Sequence, residues 1–196
     1  MSNPAARPVI TPLKLSGLSA IDELPVSYED YEDLDFALAA VESIETRKAR
    51  FLDCRIQLQA AVEWIATDSV FRNCEVSVGR VGSLELAGVA MNSVVVSGTR
   101  ANFISLANSK LQDVLFKECR FETLDFVSVT AKRVRFQDCV VEDLDLRQVV
   151  ADSLDLRGLD FARVRGVSSM RNVTINEYQL TQIAADLAEL AFIEVD

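Results

Sequence analysis

The sequence predicts an all-β fold: a parallel β-solenoid of square cross-section that ends in a C-terminal α-helix. Three observations predict it. Every fifth residue from Phe36 to Phe161 is apolar, Thr46 being the one exception among 26 positions, and eight of the ten Phe residues share this phase. The residues two places earlier, from Leu34, Ala39, Ile44, Ala49 and Cys54 on to Leu154 and Leu159, form a second apolar or small series, with Gln59 its bulky polar exception. Large pairs recur every 20 residues, at Leu84/Leu86, Ile104/Leu106, Leu124/Phe126 and Leu144/Leu146, with smaller pairs such as Thr99/Ala101 and Val129/Ala131 between them. A period of five fits neither an α-helix nor an ordinary strand. Two inward positions in five, separated by one outward residue, describe a very short extended segment and a turn. Such a segment buries its apolar face only by stacking on copies of itself, and four segments per coil close a 20-residue square.

Taken in order, residues 1–30 are expected to be partly irregular. The first 20 residues hold three of the four prolines and no periodicity, so they should be mobile or draped over the surface. Residues 22–45 hold nine acidic and no basic residues, concentrated between Glu29 and Asp35. These read as a solvated first coil or as an acidic contact segment. Residues 31–166 form the β-helix. The run from Phe36 to Phe161 spans 126 residues, or about six coils and a rod near ~30 Å long at the usual strand spacing. Its weakest stretch is Gln59 to Thr67, where Ala61 and Ala66 occupy inward positions and Trp64 is expected to fill the space they leave. Residues 167–196 supply the closing element. Leu180, Ile183, Ala184, Leu187 and Leu190 make one apolar stripe at helical spacing between Asn176 and Ala191, and Thr174 with Glu177 forms a capping-box pattern. That stripe must be covered, either by capping the rod or by pairing with a second copy.

Composition narrows the chemistry. The chain has no histidine, which removes the commonest general base and metal ligand. Cys54, Cys74, Cys119 and Cys139 form no CxxC pair. They read either as redox pairs (Cys54 with Cys74, Cys119 with Cys139) or, in the cytoplasmic setting expected here, as small buried apolar residues, the reading the setting favours. The N-terminus lacks a basic region followed by an apolar stretch, and no apolar run is long enough to span a bilayer. No cofactor, metal or catalytic residue is expected. Outward positions stack in ladders, such as Glu85/Asp125/Asp145 and Arg80/Arg100/Arg120, and such ladders offer no cleft in which to shift a pKa. Between Val81 and Ser109 the only charged residues are Glu85 and Arg100. Ala87, Ala90, Val95, Phe103 and Ala107 should face outward there as a candidate protein contact.

Units such as Cys119-Arg120-Phe121-Glu122-Thr123 and Leu154-Asp155-Leu156-Arg157-Gly158, together with the unbroken beat, resemble the pentapeptide-repeat family over about residues 31–166. The resemblance implies a right-handed quadrilateral β-helix and a C-terminal segment that caps or dimerises. It also implies one activity to weigh, because some members protect DNA gyrase against quinolones as negatively charged mimics of duplex DNA. The charge here is placed otherwise. Residues 1–48 carry 4 basic and 9 acidic residues, residues 49–166 carry 15 and 16, and residues 167–196 carry 1 and 5. The rod is nearly neutral, whereas duplex DNA carries one charge per ~1.7 Å of axis. The sequence therefore favours a non-catalytic scaffold or protein-interaction rod. Its partner would be an unidentified protein or a second copy bound through the C-terminal helix, with no direct nucleic-acid or membrane binding; the alternative is a DNA mimic directed at gyrase or topoisomerase.

Overall fold

The computed structural model describes residues 6–12 and 17–194; residues 1–5 and 13–16, within the segment expected to be mobile or draped, lie outside the described residues. All strand pairings are parallel and join one 16-stranded sheet wound into a solenoid. From Asp30 to Arg165 paired residues lie 20 places apart, as do Lys110 and its partners Ala90 and Thr130. The winding exceeds the six coils expected. Ser19–Ile21 adds to Leu34–Phe36 at one end, and Val173–Thr174 adds to Leu154–Asp155 at the other. Seven equivalent corners, at Tyr28, Lys48, Asp68, Gly88, Asn108, Ser128 and Gln148, count about seven turns.

These corners explain the period. Each from Lys48 on places one residue at positive φ two positions after an inward side chain. A hydrogen bond of the β-turn type closes it, as in Ala49 N–H to the Thr46 carbonyl, 3.3 Å, and Ser109 N–H to Leu106, 3.1 Å. Positive φ at the third residue is the requirement of a type II turn. The positive-φ residue still donates its N–H to the next coil, as Asp68 does to the Ala87 carbonyl at 2.9 Å. The ladder therefore continues around the bend without orphaned donors.

Inside, size is conserved around the coil while identity changes. Tyr31, Phe51 and Phe71 stack in one column with centroids 5.1 and 5.0 Å apart; the same column continues as Met91, Leu111, Ala131 and Ala151. As it shrinks, other columns enlarge, with Phe116 stacked on Phe136 at 4.8 Å and Phe126 and Phe161 buried nearby in sequence. Such a trade is what a close-packed core requires. Trp64 fills the core between Ala61 and Ala66 and is fully buried. Its Nε1–H donates to Thr46 Oγ1 at 2.9 Å. The single polar member of the beat is thus the partner of the single Trp, and neither is left unsatisfied.

One column departs from the predicted phase. Ala39, Gln59 and Gly79 face outward, and their predecessors Leu38, Leu58 and Val78 are buried. The corner there lacks a positive-φ residue and the chain runs on as long strands, Arg55–Ile65 and Val70–Glu85. From the next coil the corner turns at Gly98, Glu118 and Asp138, all at positive φ, and Thr99, Cys119 and Cys139 take the inward place. The inward series is therefore shifted by one residue in three coils.

The C-terminal helix is shorter and broken. Helix α1 (Glu177–Gln182) and helix α2 (Ala184–Leu190) meet at Ile183. The capping box is formed by Asn176 and Gln179, not Thr174 and Glu177, because Thr174 is still in a strand. Gln179 is buried and donates to the Leu156 and Leu159 carbonyls at 2.7 and 2.6 Å. It closes the last coil by hydrogen bonds, and Ile183 closes it by packing.

Candidate interaction surfaces

The residues expected to form a contact patch in the middle coils are all half-buried, but the coil separates them. Ala87 and Ala107 stack beside the Gly88 and Asn108 turns. Ala90 and Val95 lie on successive sides of the strand Ala90–Ser97, and Phe103 sits in another column between Ser83 and Thr123. Five-residue periodicity predicts exposure, but it is residue number modulo 20 that predicts neighbourhood. Of the five, Ala90 lines a surface groove of about 510 Å³, together with Val70, Arg72, Asn92, Lys110 and Gln112.

The C-terminal stripe divides differently. Ile183 alone among its five members is buried; Leu180, Ala184, Leu187 and Leu190 are exposed, Leu190 at 48%. Tyr178, Phe192 and Ile193 extend the uncovered apolar surface, Phe192 at 96%. Helical periodicity found this surface, expected either to cap the rod or to pair with a second copy. Of its members Ile183 packs on the last coil, while the polar Gln179 that bonds the coil lies outside the stripe.

Several aspartates of the C-terminal coils are paired with arginines. Asp145 binds Arg147 at 2.7 Å and Arg165 at 3.4 Å, Asp155 binds Arg157 at 2.7 Å, and Asp143 binds Arg163 at 2.5 Å. Hydrogen bonds from Arg147 and Arg163 hold Asp145 and Asp143 below the usual carboxylate range. At Asp155 burial pushes the other way, and the Arg157 side-chain and backbone hydrogen bonds outweigh it. Arg80, Arg100 and Arg120 are exposed and have no acidic partner within salt-bridge distance among the described residues.

The four cysteines are free thiols buried in the core, Cys54 and Cys74 in neighbouring coils and Cys119 and Cys139 likewise. Each donates to backbone carbonyls, as Cys74 does to Phe51 at 3.3 Å. Burial pushes the Cys74 thiol up to about 12, so it stays protonated and unreactive. Among the described residues no group of three His, Cys, Asp or Glu is placed to hold a metal ion, and no helix is long and apolar enough to cross a membrane.

Residues 6–12 lie along the outside of the rod. The Ser153 hydroxyl donates to the Ala6 carbonyl at 3.1 Å, Val9 N–H donates to Asp113 Oδ1 at 2.8 Å, and Thr11 N–H donates to the Ser93 hydroxyl at 2.7 Å. Asp113 and Ser93 are themselves buried. No periodicity foretold these contacts, although Asp53, Asn73, Ser93, Asp113 and Ser153 do recur at intervals of 20 or 40.

Neither protein-family models nor curated protein sequences match the chain. Among solved structures it is similar to a trypsin-treated, singly substituted form of QnrB1, described as a plasmid-mediated fluoroquinolone resistance protein. That match has 12% identity, covers 90% of this chain and 96% of that one, and has a TM-score of 0.35. A second substituted form of the same protein matches at 11% identity, covering 91% of this chain and 100% of that one, with a TM-score of 0.23. These overlaps are loose, and the assignment rests on the coil itself. Parallel coils with 20-residue register, five residues to a side and an inward apolar residue at the centre of each side, are the architecture of a pentapeptide-repeat β-solenoid.

Proposed function

We propose that the chain is a rigid, non-catalytic protein-interaction rod of the cytoplasm, where four unpaired thiols are at home. The observation that carries this reading is the uncovered apolar end formed by Leu180, Leu187, Leu190 and Phe192. Apolar surface of this kind marks a protein contact. The partner assigned to it is a second copy, since a two-fold contact requires only that one patch be self-complementary. Glu177, Asp186 and Glu189 share α1 and α2 with the stripe, so association should strengthen as salt screens their repulsion. In the middle coils, Ala90 and the groove around it offer a second contact surface, for a protein partner. The acidic residues from Glu29 to Asp35 lie on or beside the first strands, where charge discourages edge-to-edge pairing.

Sedimentation velocity tests the reading. We expect reversible, concentration-dependent dimers that tighten with salt and disappear in the Leu187→Glu, Leu190→Glu variant. A wild-type monomer at all concentrations, or a dimer indifferent to those substitutions, would remove the assignment. A gyrase supercoiling assay addresses the DNA-mimic alternative. The unpaired Arg80/Arg100/Arg120 column and the arginine-paired aspartates lead us to expect neither inhibition nor quinolone protection, and either result would restore that alternative.

A further inference from the structure

We propose that the corner strip formed by Ser93, Asp113 and Ser153 is a binding site for an extended, proline-flanked peptide, which the chain's own residues 6–12 occupy in cis. The strip is made by the fold. Ser93, Asp113, Arg133 and Ser153 occupy the same corner in successive coils, all at positive φ, so their side chains form a row along the rod axis. Arg133 holds the Asp113 carboxylate with two 2.6 Å hydrogen bonds, leaving Oδ1 shared with the incoming Val9 N–H. A charged acceptor fixed in this way makes a strong hydrogen bond.

The spacing suits a strand. Ser153, Asp113 and Ser93 span three coils, about 14 Å at one strand spacing per coil, and the five residue steps from Ala6 to Thr11 reach about 17 Å when extended. The strap therefore runs nearly straight, against the direction in which the coils advance. Its chemistry fits the same geometry. The bonding N–H groups belong to Val9 and Thr11, and the residues without an N–H, Pro8 and Pro12, fall at the alternate positions. A proline also keeps the residue before it extended, here Arg7 and Thr11. Pro8 and Ile10 are half-buried toward the rod, and Val9 is 67% exposed. Recognition uses main-chain N–H groups and two inward side chains, so it is a property of extended backbone with this proline spacing and not of one sequence. The strip also continues beyond Thr11. At the next rung the Oδ1 of Asn73 is buried without a donor among the described residues, beside a cavity of about 330 Å³ lined by Thr11, Asp53, Asn73 and Ser93.

The test keeps the full chain. Val9→Pro with Thr11→Pro removes both anchoring N–H donors, and Ser93→Gly with Asp113→Gly removes both acceptors at positions where glycine suits the backbone. Hydrogen exchange should show protected Val9 and Thr11 amides in the wild type and lost protection in the glycine variant; unprotected wild-type amides would overturn the proposal. A labelled peptide of the sequence Ala6 to Pro12 should bind the proline variant at least about tenfold more tightly than the wild type, whose strip is filled. Adding the two glycines should weaken that binding by at least about tenfold, the scale of one neutral and one charge-assisted hydrogen bond. No peptide binding to the proline variant, or binding indifferent to the glycines, would overturn the assignment.

Discussion

The same corner of the solenoid is built in two ways in the two halves of the rod. In the N-terminal coils Leu38, Leu58 and Val78 point inward with no positive-φ turn, and at Leu58 and Val78 the chain passes the corner as continuous strand; in the following coils Gly98, Glu118 and Asp138 turn it at positive φ and Thr99, Cys119 and Cys139 point inward. Both solutions place one side chain in the core and keep the 20-residue register, so coils of different corner type still stack. At the junction the Thr99 hydroxyl accepts the Val78 N–H at 3.1 Å, joining the last strand-type corner to the first turn-type one. What a solenoid fixes is the number of residues per coil and the volume inside it; how each corner is turned is left to local sequence.

The largest effect should come from the strand-type corner, where the buried residue is large. Leu58→Ala is expected to cost about 2–5 kcal/mol as a core cavity, measured by urea denaturation. Thr46→Val, in the same half, should cost about 1–3 kcal/mol, because it strands the Trp64 Nε1–H in the core. At the turn-type corner the sign reverses. Glu118→Gly should stabilise by about 1 kcal/mol, since a side chain at φ 55° is strained and glycine is not. A loss of stability there would break the comparison.

Acid should separate the halves more gently. Asp113, Asp143, Asp145 and Asp155 in the C-terminal half are held below the usual carboxylate range, against Asp35 in the first coils. A carboxylate depressed in the folded state contributes stability that is complete above its unfolded value of about 3.9 and is lost as pH falls through the folded value. Hydrogen exchange below about pH 4 should therefore rise first in the C-terminal coils, and equal loosening of both halves would contradict this.

Much of the fold was legible because the beat reports a steric necessity. An inward side chain every fifth residue is the only pattern that lets such short sides bury themselves. The corner change was less legible, because Ala39, Gln59 and Gly79 are small or ambiguous and Leu38 and Leu58 read as exposed apolar residues in a fixed phase. The clue was present in the exchange of Leu58 and Val78 for Gly98, Glu118 and Asp138 down one column. Gln179 escaped notice because sealing backbone carbonyls calls for an amide, which a search for apolar residues passes over. The five residues around Phe103 fall in different columns because exposure and adjacency follow different periods, five and 20. The Ser93/Asp113/Ser153 strip was hidden for the opposite reason: its partner is main chain at residues 6–12, which carries no side-chain signature.

The shift of one residue between the two corner types is best tested by thiol labelling of single cysteines in the folded protein. Gln59→Cys and Glu118→Cys should react quickly, while Leu58→Cys should be as protected as native Cys119, which shares the Gln59 column. Rapid labelling of Leu58→Cys together with protection of Gln59→Cys would put both halves in a single phase and contradict the account.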